Sequence, residues 1–183
     1  MLHLFLANGF EEIEALATLD ILRRLGLEVE TVSITGTRLI RGAHGIPVMV
    51  DTLYRKGTLT SSDGFILPGG MPGAKNLMAS ESLKRAIQAH HREGKLIAAI
   101  CAAPIVLANA GILEGRKVTC YPGFEEQLTG AVVKNDMVVV DGNLITGKGP
   151  GAAMPFAFAI ANKFLRKQKI DKVKFDMLLD LTY

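Results

Sequence analysis

The sequence predicts an α/β fold built on a mainly parallel sheet, and three observations carry that prediction. Short apolar segments of strand length alternate along the 183 residues with longer segments whose apolar residues recur at helical spacing. The first 34 residues read as strand, helix, strand, a βαβ unit whose strands lie parallel. Near the middle, residues 95–104, KLIAAICAAP, read as a buried strand that delivers a cysteine into a turn, after which a helix opens. Such alternation implies a sheet covered by helices on both faces, with ligands bound at the carboxyl ends of its strands where strand order reverses.

The elements follow in order. Residues 2–6 form a strand, and 11–25 a helix with Ile13, Leu16, Leu19, Ile21, Leu22 and Leu25 on its apolar positions. Gly26 stops it, and 27–34 is the next strand. Residues 38–53 suggest a hairpin turned near His44-Gly45, restricted to an edge by Pro47. A core strand at 64–67 ends in Pro68-Gly69-Gly70, a helix spans 80–92, and the strand 96–100 precedes Cys101. Further strands are expected at 117–121, 131–140 and 144–146, then helices at 151–165 and 171–181. The informative loops are those that follow strands: 7–14, 68–73, 101–104, 121–124 and 147–151.

Proline is tolerated in a helix's first turn, so Pro104 starts a helix just after Cys101. A nucleophile at this elbow projects from the sheet with neighbouring N–H groups aimed at it, and the positive helix end favours thiolate. The spacing leaves a second reading open, because a cysteine in an Ala/Ile-rich run also serves as a small core residue. Residues 96–113 carry no charge over a length near that of a membrane span, but Pro104, Asn109 and Gly111 interrupt them.

Composition bounds the rest. At 49% apolar and 21% charged residues the chain is globular, and one domain over 1–183 is expected. A net charge of +3 without a basic cluster interleaved with aromatics argues against nucleic-acid binding. The N-terminus, MLHLFLANGFEEIEA, lacks a basic leader, so a cytoplasmic protein without a membrane partner is expected. The two cysteines, Cys101 and Cys120, have no zinc-type spacing and are expected to be free thiols.

Four post-strand pieces together resemble the ThiJ/PfpI superfamily in its DJ-1-like branch. They are Ala7-Asn8-Gly9-Phe10-Glu11-Glu12-Ile13-Glu14, Ile66-Leu67-Pro68-Gly69-Gly70, Ala98-Ala99-Ile100-Cys101-Ala102-Ala103-Pro104 and Gly147-Lys148-Gly149-Pro150-Gly151, in family order across nearly the whole chain. The resemblance implies a flavodoxin-like three-layer α/β/α sandwich of the class I glutamine amidotransferase type, usually a homodimer, without cofactor or metal. It makes Cys101 the reactive cysteine and Glu14 the carboxyl group that contacts it. A carboxyl group beside a thiolate resists a second charge, so Glu14 is expected to be protonated and to donate to sulfur. Gly69 and Gly70 permit close backbone approach, and the N–H groups of Gly70 and Ala102 are the candidate oxyanion donors.

The departures matter too. Some members place a histidine where Thr119-Cys120-Tyr121-Pro122 stands, so Tyr121 replaces a base and no Cys–His–acid triad is visible. His44 and Lys148 stand where arginines are common, while Arg24 retains the family residue. These three are expected to form a basic substrate pocket with Tyr121, suited to a carboxylate or an oxidised thiol. Glu11 and Glu12 read as solvated first-turn carboxylates, and His3, His90 and His91 as structural or solvent-facing. Cys120 alternates with Tyr121 along the chain and should face away from the site.

The function implied is cofactor-free processing of a small aldehyde or a glycated substrate, of glyoxalase III or deglycase type. The alternative is a redox-responsive stress or chaperone-like protein whose Cys101 is oxidised to sulfinic acid. Cysteine peptidase activity lacks its triad, and a thiamine-pathway role finds no chemical support in these residues.

Overall fold

The structure, a computed structural model, describes residues 1–55 and 61–179. Its main sheet begins with β1 (Leu2–Leu6) and β2 (Val29–Ser33), parallel and in register from Leu2 opposite Val29 to Leu6 opposite Ser33. On the other side of β1 lie β6 (Gly64–Leu67), β7 (Leu96–Ile100) and β11 (Leu144–Gly147), all parallel. The short β5 (Thr52–Leu53) closes one edge parallel to β2, and β10 (Val138–Asp141) closes the other antiparallel to β11. The order is therefore β10-β11-β7-β6-β1-β2-β5. The chain first builds outward from β1 and then returns to its other side, so order reverses at β1 and β6. That crevice is where an open sheet takes its ligand.

Helices α1 (Glu12–Arg24) and α5 (Ala153–Ala161) pack together on one face, and α2 (Gly73–Met78), α3 (Glu81–Arg92) and α4 (Pro104–Asn109) pack on the other. The result is the three-layer sandwich expected. Every residue of β1, β6, β7 and β11 is buried, as a strand covered on both faces requires. Phe5, Phe65, Phe156 and Ile66 are among the largest fully buried side chains, each worth about 1.5–3 kcal/mol of transfer free energy. In α3 the Ser80 hydroxyl accepts the Leu83 N–H at 3.3 Å as an N-cap, and Leu83, Ile87 and His90 share the buried face. The uncharged run 96–113 divides into β7 and α4, and among the described residues no helix is long and apolar enough to cross a membrane.

Several expected elements are redrawn. The hairpin is β3 (Leu39–Arg41) against β4 (Pro47–Met49), turning through His44-Gly45, and the chain beyond it joins the main sheet as β5. The strand expected over 117–121 stops early as β8 (Lys117–Val118). Thr119 and Tyr121 instead give their N–H groups to the Thr146 hydroxyl and the Cys101 carbonyl, at 2.8 and 2.9 Å. The segment 131–140 splits into β9 (Val132–Val133), parallel to β8, and β10, because the polar Lys134-Asn135-Asp136 run turns between them. Helix α2 was not expected, since six residues are too few for a periodic signal. A 3-10 turn, Pro150–Ala152, precedes α5, and the last helix, α6 (Lys167–Asp176), starts four residues earlier than expected. The expected end of that helix, residues 180 and 181, lies outside the described residues.

Candidate active site

The site forms at the carboxyl ends of β1, β6 and β7. Leaving β7, the chain turns through Cys101 at φ 65°, a left-handed conformation that few residues other than glycine adopt and that costs about 1–3 kcal/mol. The elbow is held on both sides: Cys101 N–H donates to the Gly147 carbonyl at 2.9 Å, and its carbonyl accepts the Tyr121 N–H at 2.9 Å. Pro104 opens α4 as its spacing suggests. The Cys101 side chain is directed into a nearly closed space, 7% exposed, with the N–H groups of Gly70 and Ala102 facing its sulfur.

Glu14, in the first turn of α1, reaches this space from the other strand end. Its Oε2 accepts the Gly69 N–H at 2.7 Å, its carboxyl group faces the Cys101 thiol, and Oε1 is buried without a hydrogen-bond partner among the described residues. Gly69 admits no side chain, because a Cβ there would lie 2.7 Å from Cys101 Cβ and 2.8 Å from Glu14 Oε2. Gly70 holds φ +84° and would place a Cβ 2.3 Å from the Glu11 nitrogen. Thus the Pro-Gly-Gly turn lets backbone from three loops meet around one sulfur.

Burial raises the Glu14 carboxyl to about 7, although the Cys101 and Gly69 hydrogen bonds oppose the rise. Burial also pushes the Cys101 thiol far above its ordinary range, and the Glu14 charge pushes it further while the two N–H groups pull it down. The expectation of a thiol acidified by the helix end is therefore overridden by desolvation. Two anions cannot share this dry space, so the pair holds at most one negative charge. Because burial and the Glu14 charge raise the thiol further than burial raises the carboxyl, that charge falls on Glu14 and the thiol keeps its proton, the reverse of the expected arrangement.

The expected basic pocket does not assemble within the chain. Arg24 lies at the far end of α1, ten residues and about 15 Å along the helix from Glu14, paired with Asp20 at 2.6 Å. Lys148 Nζ donates to Asn135 Oδ1 at 2.5 Å, and His44 sits 2.7 Å from Glu12 Oε2. Of the four substrate-pocket side chains, Tyr121 is the one tied to the elbow through its backbone, and its exposed ring packs on Gly149.

Glu11 and Glu12 are buried rather than solvated. Glu11 Oε2 caps α1 by accepting the Glu14 N–H at 2.7 Å, and Glu12 Oε1 accepts the His44 N–H at 2.7 Å. Their helix-start position carries no local signal for a partner 32 residues away, so the sequence missed this contact. His3 bonds the Ser62 hydroxyl at 2.8 Å and His90 stacks on Phe65 with ring centres 3.7 Å apart, and burial lowers the pKa of both. Cys120 is buried, its thiol pushed up to about 11 by burial and Glu125, while neighbouring Tyr121 is exposed.

Comparison with known proteins places this geometry. The DJ-1/PfpI family profile matches residues 2–163. Protein dj-1beta of Drosophila melanogaster is 36% identical over 176 residues, covering 95% of this chain and 94% of its own. Deglycase PH1704 of Pyrococcus horikoshii is 37% identical over 147 residues, 79% of this chain and 87% of its own. The chain spans less than half the length of two Arabidopsis thaliana relatives, Protein DJ-1 homologs A and B, 45% and 40% respectively. Among solved structures, oxidised DJ-1 from Toxoplasma gondii superposes with a TM-score of 0.90 at 34% identity, over 97% of both chains. With its elbow cysteine, facing carboxyl group and flavodoxin-like sandwich, the chain belongs to the DJ-1/PfpI family.

Proposed function

We propose that this chain processes reactive aldehydes without a cofactor, through Cys101 assisted by Glu14, as a glyoxalase or deglycase. The observation that carries this reading is the convergence of the Glu14 carboxyl and the Gly70 and Ala102 N–H groups on the sulfur at a left-handed elbow. Its relative named a deglycase supports the same reading. Glu14 takes the thiol proton as sulfur adds to the aldehyde carbon of a substrate such as methylglyoxal, and the new oxyanion takes that proton back from Glu14 to give a hemithioacetal. Glu14, now ionised, removes the hydrogen from that carbon and returns it to the neighbouring one, while the hemithioacetal hydroxyl proton passes to the former ketone oxygen, leaving a thioester of a 2-hydroxy acid. Water hydrolyses the thioester and restores the thiol. Gly69 lets the backbone approach Cys101 closely, since a Cβ there would lie 2.7 Å from the cysteine Cβ.

The test is lactate formation from methylglyoxal by the purified chain beside Cys101→Ser and Glu14→Ala. Turnover is expected, with loss of at least about 100-fold in each variant. Absence of turnover in the wild type would overturn the enzyme reading. It would favour a redox-responsive protein, a second reading supported by the oxidised Toxoplasma gondii relative, in which the same donors would hold a Cys101 sulfinate.

A further inference from the structure

Away from the Cys101 sulfur, two buried carboxyl groups converge on one imidazole nitrogen. The Glu11 and Glu12 side chains are 9% and 5% exposed, whereas His44, on the hairpin turn, is 70% exposed. Glu12 Oε2 lies 2.7 Å from His44 Nδ1, and Glu11 Oε1 lies 4.0 Å from the same atom. The remaining oxygens are engaged: Glu11 Oε2 caps α1, and Glu12 Oε1 accepts the His44 and Ile46 N–H groups. One proton on Nδ1 satisfies Glu12 and leaves Glu11 Oε1 without a hydrogen bond among the described residues. A carboxyl oxygen of a nearly buried side chain thus faces a shared centre that a single proton cannot serve.

We propose that Glu11, Glu12 and His44 form a binding site for one divalent cation of the zinc class, ligated by Glu11 Oε1, Glu12 Oε2 and His44 Nδ1. The three ligand atoms lie within 4.8 Å of one another. Tetrahedral ligands at about 2.0–2.2 Å from zinc stand about 3.4 Å apart, between the two distances to Nδ1 seen here, so small side-chain shifts close the site. One imidazole and two carboxylates suit zinc over a soft, thiol-seeking ion. On binding, the cation takes the place of the Nδ1 proton, which leaves to solvent from the imidazolium or passes to Nε2 in the neutral ring. Exposed His44 keeps the fourth position open to water or an anionic ligand.

The experiment uses the whole chain, stripped with chelator and titrated with zinc chloride against a chromophoric competitor, in a Cys101→Ser/Cys120→Ser background that removes the thiols. Saturable binding of one zinc per chain is expected. His44→Ala and Glu11→Gln should each weaken it at least about tenfold, the glutamine retaining the helix cap. His44→Arg, which still pairs with both carboxylates, should fold with an unchanged far-ultraviolet spectrum and bind no zinc. No saturable binding in the thiol-free background, or binding that His44→Ala and His44→Arg leave intact, would overturn the site.

Discussion

Glu14 is the residue on which the charge state of the Cys101 pocket turns. Its carboxyl group rises from 4.5 to about 7 on folding because it is buried, so the folded chain holds a proton there that the unfolded chain has released. Stability from this group is fully present below pH 4.5 and is lost as pH rises through 7. Glu14→Gln keeps an oxygen for the Gly69 N–H and carries no charge at any pH. With chelator present, the variant's stability relative to wild type is expected to rise by about 2–3 kcal/mol between pH 4.5 and about pH 8, measured by urea unfolding. A difference that stays constant over that window would show that Glu14 titrates normally. The role of Cys101 was legible as one of two alternatives because an elbow is a local pattern. The Glu14–Gly69 bond was not, since the two residues are 55 apart and only the adjacency of β1 and β6 joins them.

Among the elements, the β3–β4 hairpin depends on α1. Glu12 ties the turn to the helix start through two N–H groups and the His44 ring, and a Cβ at Gly42 would meet Glu12 Oε1 at 2.2 Å. Glu12→Ala leaves those donors without their acceptor and is expected to cost about 1–3 kcal/mol. Amide exchange over residues 39–49 should quicken more than over β7, whose ladder is independent of Glu12. Uniform quickening would mean that the carboxylate supports the whole fold instead of the hairpin. Element boundaries were read well where a core strand or a capped helix imposed a period, as in β1, α3 and β7. They were read poorly where hydrogen bonds to distant loops replaced the ladder, as at Thr119 and Tyr121.

For the whole molecule, the exposed apolar surface sets the expectation of a dimer. Ile13 on α1 and Met154 on α5 line a groove of about 640 Å³, and Leu39, Ile46 and Met49 lie exposed on the hairpin that Glu12 ties to the same helix. Exposed apolar side chains grouped in a groove and on a neighbouring hairpin suit a surface that another chain covers. We propose that a second copy covers it, as the family resemblance implies. Sedimentation of the wild type is expected to give a dimer at micromolar concentration, and Ile13→Lys to shift it toward monomer. A monomeric wild type would remove the proposal.

By itself the sequence determined the alternation of strands and helices, the elbow at Cys101, and four loops whose order identifies the superfamily. These are properties of period, turn chemistry and short motifs, each written within a few consecutive residues. Only the tertiary structure decided which loops meet. It seated Glu14 against Cys101 and Gly69, left Arg24 at the remote end of α1, and turned His44 onto two buried carboxylates. The physical reason is strand order: the reversal at β1 and β6 brings distant carboxyl ends together, and helix length fixes how far each side chain stands from them.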